Sequence, residues 1–402
     1  YQPYLGMKRM ITSGLDQARR HQVEVASKIQ ADLDTRRDDI KTDIGYGLDD
    51  YKARPRRIES IHLQNIGPIR DLTLDLTAKK SNRTPCFALL GINGVGKSTI
   101  LKAIATALAG ESYANQLRIN SNALLAHGQK SGHIILQITG YSHAFKLTLE
   151  RGKPLRYEYP YAPALVLAYG STRLVARGRR RSKPGVRHAK LANLFDPFLP
   201  MSDPARWLDT LPEHRLEPVR ATLDSLLKGD SATGCIAIVK NGRIRFCMGE
   251  RPAQKVSELS DGYKAFIGMA VDIMDVMHKA SYDDMNEAKG IVLIDELGNH
   301  FHPEWKLRVV TALRDAFPAI QFIFSTHEPL CLRGLIDGEV AVLQHDKEGV
   351  YMLTDLPEVQ HLRIDQLLTS EHFGLASTLD PSQNLKIERY HLWRAILARY
   401  FV

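Results

Sequence analysis

Ile11, Leu15, Ala18, Val25, Ile29, Leu33, Ile40, Ile44 and Leu48 recur at steps of three or four residues, or at sums of those steps. That period draws one apolar stripe along a mostly charged helix over residues 10–48, with a break expected at the Gly45/Gly47 pair. A stripe of this kind either packs on the body of its own subunit or forms an oligomerisation or partner-binding arm. After a basic, proline-containing stretch at 52–57 the period changes. Apolar and polar residues alternate over 58–69 and 72–76, which predicts two short strands around the Asn65-Ile66-Gly67-Pro68 turn. Strand and helix patterns then succeed one another. A buried strand is expected at 86–90 and a helix at 99–108, then strands within 132–150 and at 162–169. A helical stretch at 203–228 is expected to be broken by Pro212 and Pro218. A hairpin of 235–239 and 244–248 turns on Asn241-Gly242. An apolar helix at 265–277 follows, with strands at 290–294 and 320–327. The C-terminal part shows strands at 340–343 and 351–353, a loop at 373–380, and a helix at 381–400. Leu385, Ile387, Leu392, Trp393, Ile396, Leu397 and Tyr400 supply that last helix with apolar surface.

Composition narrows this picture little. The 402 residues, 44% hydrophobic and 25% charged, are ordinary for a globular protein able to bury a core. No run approaches the length of a transmembrane helix, so no membrane association is expected. The N-terminus shows no signal-peptide pattern, and an opening on Tyr1 in place of methionine points to a longer product. Cys86, Cys235, Cys247 and Cys331 are scattered without CxxC spacing, which suits reduced thiols in a cytoplasmic protein better than a zinc site. The net charge of +9 permits an acidic partner such as nucleic acid. Its densest cationic run holds Arg173, Arg177, Arg179, Arg180, Arg181 and Lys183. The run lacks the period of a packed element and reads as an exposed loop, either a solvated surface or a contact for a phosphate backbone or acidic partner. No aromatic residues interleave with it, so a base-stacking platform is not indicated.

The chemistry enters at Gly91-Ile92-Asn93-Gly94-Val95-Gly96-Lys97-Ser98, followed by Thr99. The pattern GxxxxGKS lies between an apolar strand and a helix, the context of a phosphate-binding P-loop. Its glycines let backbone N–H groups curl around phosphates, and the helix dipole favours the anion. Lys97 is expected to reach the β- and γ-phosphates, and the Ser98 hydroxyl to ligate Mg2+. Downstream, Leu259-Ser260-Asp261-Gly262 opens the apolar helix and offers a hydroxyl and free N–H groups to an anion. The run Gly290-Ile291-Val292-Leu293-Ile294 ends in Asp295 and Glu296, a Walker B pattern. Asp295 is expected to hold Mg2+ and Glu296 to orient or deprotonate the attacking water. His300 and His302 follow on a turn, where interface or packing roles outweigh a metal pair. The strand at 320–325 ends in Ser325-Thr326-His327, where the histidine either hydrogen-bonds the γ-phosphate or water or merely caps the strand.

In this order the four motifs resemble the ABC-type ATPase head, with Walker A, signature, Walker B and switch-histidine segments over about residues 56–345 and Asn299 in the D-loop position. The stretch 58–72 and Asp295-Glu296-Leu297-Gly298-Asn299 look like the RecF/SMC branch. The interval 99–257 lacks SMC heptads, and too little chain follows His327 for the nuclease domain of an OLD-type ATPase. The compact form, with Thr326-His327-Glu328-Pro329-Leu330, is similar to bacterial anti-phage defence ATPases, the PtuA-like proteins of Septu and related retron systems. The fold implied is α/β: a P-loop ABC-ATPase head with a mixed sheet core, an antiparallel β subdomain, a helical signature lobe and helical extensions at both ends. The segments are 1–54 (helical arm), 56–172 (Walker A lobe), 173–255 (basic loop and insertion), 256–345 (signature, Walker B, switch histidine) and 346–402 (C-terminal extension). The resemblance implies that two heads, a homodimer or higher homo-oligomer, sandwich ATP and Mg2+. Asn93, Gly94, Gly96, Lys97, Ser98 and Thr99 would act in one subunit, and Ser260 and Gly262 in the other. Glu296 and His327 would be catalytic, and a separate HNH nuclease the partner. Direct action on DNA in repair, transporter energising, and ATP-dependent assembly with little turnover are the alternative functions. The sequence departs from the family where Asp261 and Tyr263 replace the Gly and Gln of the usual signature, and in lacking a clear Q-loop glutamine. Gln137 and the tip 169–173 are the candidates for that role.

Overall fold

The structure, a computed structural model, describes residues 56–77, 84–175, 189–227, 235–248, 252–299, 301–347, 349–353, 356–375 and 377–378. The expected N-terminal arm, the arginines at 177–181 with Lys183, His300 and the helix at 381–400 lie outside the described residues.

Strands are β1 (Ile58–Ile66), β2 (Ile69–Asp75), β3 (Cys86–Gly91), β4 (Ser131–Ile138), β5 (Phe145–Glu150), β6 (Arg156–Tyr157), β7 (Val166–Tyr169), β8 (Ala189–Lys190), β9 (Cys235–Lys240), β10 (Arg243–Met248), β11 (Gly290–Ile294), β12 (Ile320–Ser325), β13 (Val340–His345) and β14 (Val350–Met352). Helices are α1 (Lys97–Leu108), α2 (Glu111–Gln116), α3 (Ser121–Leu124), α4 (Ala192–Phe195), α5 (Pro204–Asp209), α6 (Glu213–Leu227), α7 (Asp261–Lys279), α8 (Pro303–Ala316) and α9 (Ile364–Thr369). The long strands follow the sequence period. The helix α8 lies outside the expected elements, because its buried face, including Val309, Val310 and Leu313, is a short stripe in a charged segment.

Two sheets face each other across α1. A seven-stranded sheet has the order β14-β13-β3-β12-β11-β7-β8, parallel throughout except for β14 at its edge. A five-stranded antiparallel sheet has the order β2-β1-β4-β5-β6. The large sheet's strands are continuous apolar runs because both faces are covered. On β3, Cys86, Ala88 and Leu90 join the core shared with α6, α7 and α8. Phe87 and Leu89 join the core shared with α1 and the antiparallel sheet. The pleat divides β11 and β12 in the same way: Val292, Ile294, Phe322 and Phe324 lie on one side, and Ile291, Leu293 and Ile323 on the other.

The hairpin β9–β10 turns at Asn241 and Gly242 with φ of 52° and 66°, the left-handed pair that a two-residue hairpin needs. Pro212 falls between α5 and α6 as expected. Pro218, expected to break the helix, lies inside α6. It stands in the second turn, just past the four donors that have no intrahelical partner, so its missing N–H removes one helical bond. The apolar set Leu216, Val219, Leu223, Leu226 and Leu227 carries the helix through.

At the opposite edge of the large sheet from the P-loop, Glu339 is fully buried and ion-paired to the buried Arg314. Its carboxylate also accepts from Cys86 N (3.1 Å) and Ile336 N (2.8 Å), which ties the start of β13 to β3. Replacing Glu339 by Ala strands a buried guanidinium and two amides. The expected loss is about 3–5 kcal/mol of stability, read as a lower urea midpoint with an unchanged slope.

Candidate nucleotide site

Strands β3, β7, β11 and β12 run parallel and end at one edge, so the loops that follow them converge where open α/β sheets bind ligands. The loop after β3 curls back on itself before α1. Gly91 and Gly96 have φ of 140° and 113°. A Cβ on Gly91 would lie 2.4 Å from Leu343 O, and one on Gly96 3.0 Å from Pro68 Cγ. The loop is thus pressed between β13 and the β1–β2 turn, and only glycine fits at both contacts. Thr99 packs against Gly67 of that same turn. Asn93 and Gly94 are exposed at the loop tip, beside Ile92, which is 69% exposed.

Lys97 is buried at the head of α1. Its Nζ donates to Gly91 O (2.9 Å) and Ile92 O (3.2 Å) and lies 2.8 Å from His327 Nε2. Burial lowers its pKa, while Glu296 and Asp295 pull it back up. Ser98 Oγ donates to Asp295 Oδ1 at 3.0 Å, and Ser325 Oγ donates to the same oxygen at 2.6 Å. Glu296 N donates to Ser325 Oγ at 2.8 Å. The Glu296 carboxylate is 3.3 Å from His327 Nε2. Six side chains from three loops, Lys97, Ser98, Asp295, Glu296, Ser325 and His327, therefore form one connected group. The role of Ser325 is invisible in sequence. It stands at the last position of β12, where its hydroxyl bridges the carboxylate of Asp295 and the backbone of Glu296.

The Ser98 hydroxyl and the Asp295 carboxylate are hard oxygen donors on adjoining loops, the small protein set that Mg2+ takes when phosphates and waters complete its shell. Among the described residues no cluster of three or more His, Cys, Asp or Glu side chains suits a metal ion. His302 is 70% exposed in its side chain and lies 3.9 Å from Glu304.

Ser260 and Gly262 stand apart from this group. Ser260 is the exposed residue preceding α7, its side chain caps nothing, and Gly262 lies in the first turn. Asp261, 80% exposed in its side chain, pairs with Lys264 at 3.3 Å, a contact worth little in water. Of the two Q-loop candidates, Gln137 is displaced from the site. It lies on β4 opposite Ser60 and donates to Tyr141 O. The tip 169–173 does border the site, for Ser171 O accepts from Asn299 Nδ2 at 3.4 Å.

Arg173 overturns an expectation. Grouped by sequence with the exposed cationic run, it is only 2% exposed and cannot reach a nucleic-acid backbone. Its guanidinium points inward to backbone carbonyls of the turn after β11. Charge density along the chain does not reveal which member of a basic run turns into the core.

Residues 60–191 match the family described as "AAA domain", and residues 177–333 that described as "AAA domain, putative AbiEii toxin, Type IV TA system". The chain is 37% identical over 356 residues to Septu protein PtuA of Bacillus mycoides (strain KBAB4), covering 86% of this chain and 48% of that protein. It thus spans about half the length of that relative. A retron Vc95 probable ATPase of Vibrio cholerae serotype O1 biovar El Tor is 38% identical over 90 residues, 22% of this chain and 18% of that protein. Among solved structures, an SMC head bound to the C-winged helix domain of ScpA aligns with a TM-score of 0.47 and 13% identity, covering 74% of this chain and 97% of that one.

Proposed function

We infer that this ATPase, which resembles Septu and retron ATPases, is a nucleotide-driven clamp that governs a nucleic-acid-directed effector. The observation that carries this is the joined group of Lys97, Ser98, Asp295, Glu296, Ser325 and His327 at one sheet edge. Gly94, Gly96 and Lys97 cradle the phosphates of ATP, with Asn93 and Thr99 at the rim of the loop. Ser98 and Asp295 would hold Mg2+, which would supply charge neutralisation to the phosphates. Glu296 takes a proton from the attacking water, and His327, shared between Lys97 and Glu296, senses the γ-phosphate.

Ser260 and Gly262 lie outside that group, and we assign them to the nucleotide of a second copy, which makes the complete site a property of the dimer. Hydrolysis then releases the pair. The output is control of a separate nuclease in anti-phage defence, with the basic run Arg177, Arg179, Arg180, Arg181 and Lys183 as the contact for nucleic acid or an acidic partner. Turnover per subunit is expected to rise with protein concentration and to level off when the dimer saturates, while ATP binding persists in the dilute monomer. A steady-state assay over a dilution series, paired with light scattering, checks this. Concentration-independent turnover by a strict monomer would contradict the shared site.

A further inference from the structure

Glu296 has a backbone φ of 51°. A non-glycine residue in this left-handed region is strained and needs its surroundings to hold it there. One support beneath it is Arg173. The guanidinium donates from Nη1 to Asp295 O (2.8 Å) and from Nη2 to Glu296 O (2.9 Å), Leu297 O (3.2 Å) and Asn299 O (3.2 Å). Four carbonyl dipoles of one turn thus point their negative ends at a single spot. Such dipoles repel one another, against the turn's own bonds from Asn299 N to Glu296 O (3.0 Å) and from Leu297 N to Ser325 O (2.9 Å). A buried cation at the focus reverses the sign of that interaction. The guanidinium keeps its charge at neutral pH even when buried.

We propose that Arg173 is a positioning residue for Glu296, and that its guanidinium sets the geometry from which that carboxylate meets the attacking water. The inference rests on the ATPase reading above. It reaches further, because it makes a residue that touches neither phosphate nor metal a determinant of the rate. The chemistry calls for arginine in particular. A planar fork serves several carbonyls at once, whereas a lysine ammonium on a different stem is a point donor with three N–H groups. The converse support, Ser325 Oγ accepting from Glu296 N, holds the turn from the other side but carries no charge.

The test is steady-state and single-turnover hydrolysis by the full chain, with ATP affinity read separately by equilibrium titration of a fluorescent ATP analogue. Arg173→Lys is expected to lower kcat on the order of 10²-fold, the cost of a small misplacement of a reacting group, while affinity stays within about threefold. Added to Glu296→Gln, it is expected to slow the residual turnover no further, since both changes remove one function. A pocket of about 590 Å³, lined by Arg173, Leu174, Phe198, Gly262 and Ala265 among others, adjoins this residue. In Arg173→Ala, free guanidinium is therefore expected to restore kcat where the same concentration of ammonium does not. The inference fails if Arg173→Lys turns over at the normal rate, if affinity falls in step with kcat, or if the two substitutions multiply. It fails equally if a folded, ATP-binding Arg173→Ala is not rescued; should that variant not fold, the lysine variant decides. A wild-type chain without turnover overturns the ATPase reading and this inference together. Normal turnover, abolished by Glu296→Gln and untouched by Arg173→Lys, overturns this inference alone.

Discussion

Lys97→Ala is expected to weaken ATP binding by about 10²–10³-fold, equivalent to about 3–4 kcal/mol, with turnover lost in proportion. The size follows from where the ammonium sits. Lys97 is 6% exposed, and its Nζ bridges Gly91 O, Ile92 O and His327. The charge is therefore partly stripped of water before a phosphate arrives, and burial has already lowered its pKa. A desolvated cation interacts with an incoming polyanion far more strongly than a surface lysine does. Removing it also leaves two loop carbonyls without their donor, so the P-loop loses both charge and shape. Titration of the variant with a fluorescent ATP analogue checks the affinity. An affinity within a few-fold of wild type would mean that the lysine faces away from the phosphates in the working complex.

Glu296→Gln separates binding from chemistry. The amide is nearly isosteric, keeps an oxygen toward His327 Nε2 and leaves the Glu296 N to Ser325 Oγ bond in place. It cannot take up a proton at neutral pH. Turnover is expected to fall by roughly 10²–10⁴-fold, the usual contribution of a general base, with ATP affinity little changed. With hydrolysis blocked, the ATP-bound pair of heads should accumulate and be visible as a dimer by light scattering. The biological output then discriminates two uses of the nucleotide. If ATP serves assembly alone, the variant still functions in its host. Complete loss of function, with binding and assembly intact, ties the output to hydrolysis itself.

Much of this site could be read from the order of residues. The loop at Gly91–Ser98 needs glycine at set places, and apolar runs ending in Asp295-Glu296 and Ser325-Thr326-His327 mark strand tips at a binding edge. Such signals are local, so they survive in one dimension. Arg173 shows what does not. Its neighbours in sequence are cationic and its neighbours in space are carbonyls from a turn more than a hundred residues onward, so only the fold reveals its use. Ser325 is a second case, since a serine at a strand end has no signature of its own. Pro218 is a third, where a strong local rule yields to apolar contacts along the rest of α6. Gln137 was a candidate by residue type alone, and the register of β4 on β1 removes it from the site.

The strand that feeds the P-loop is flanked by β12 and β13, paired as Phe322↔Cys86 and Val340↔Ala88. Both partners are made late, after the whole helical lobe has been synthesised. A ribosome that has just released residues 86–108 has therefore produced a phosphate loop whose strand lacks both of its pairing partners. Pairings of such long separation close slowly, and their edges stay open meanwhile. Chains cut short before residue 345 are expected to be inert toward ATP and prone to clump. The topology alone thus makes nucleotide binding contingent on a chain finished through β13: a broken or half-translated copy has no braced phosphate loop.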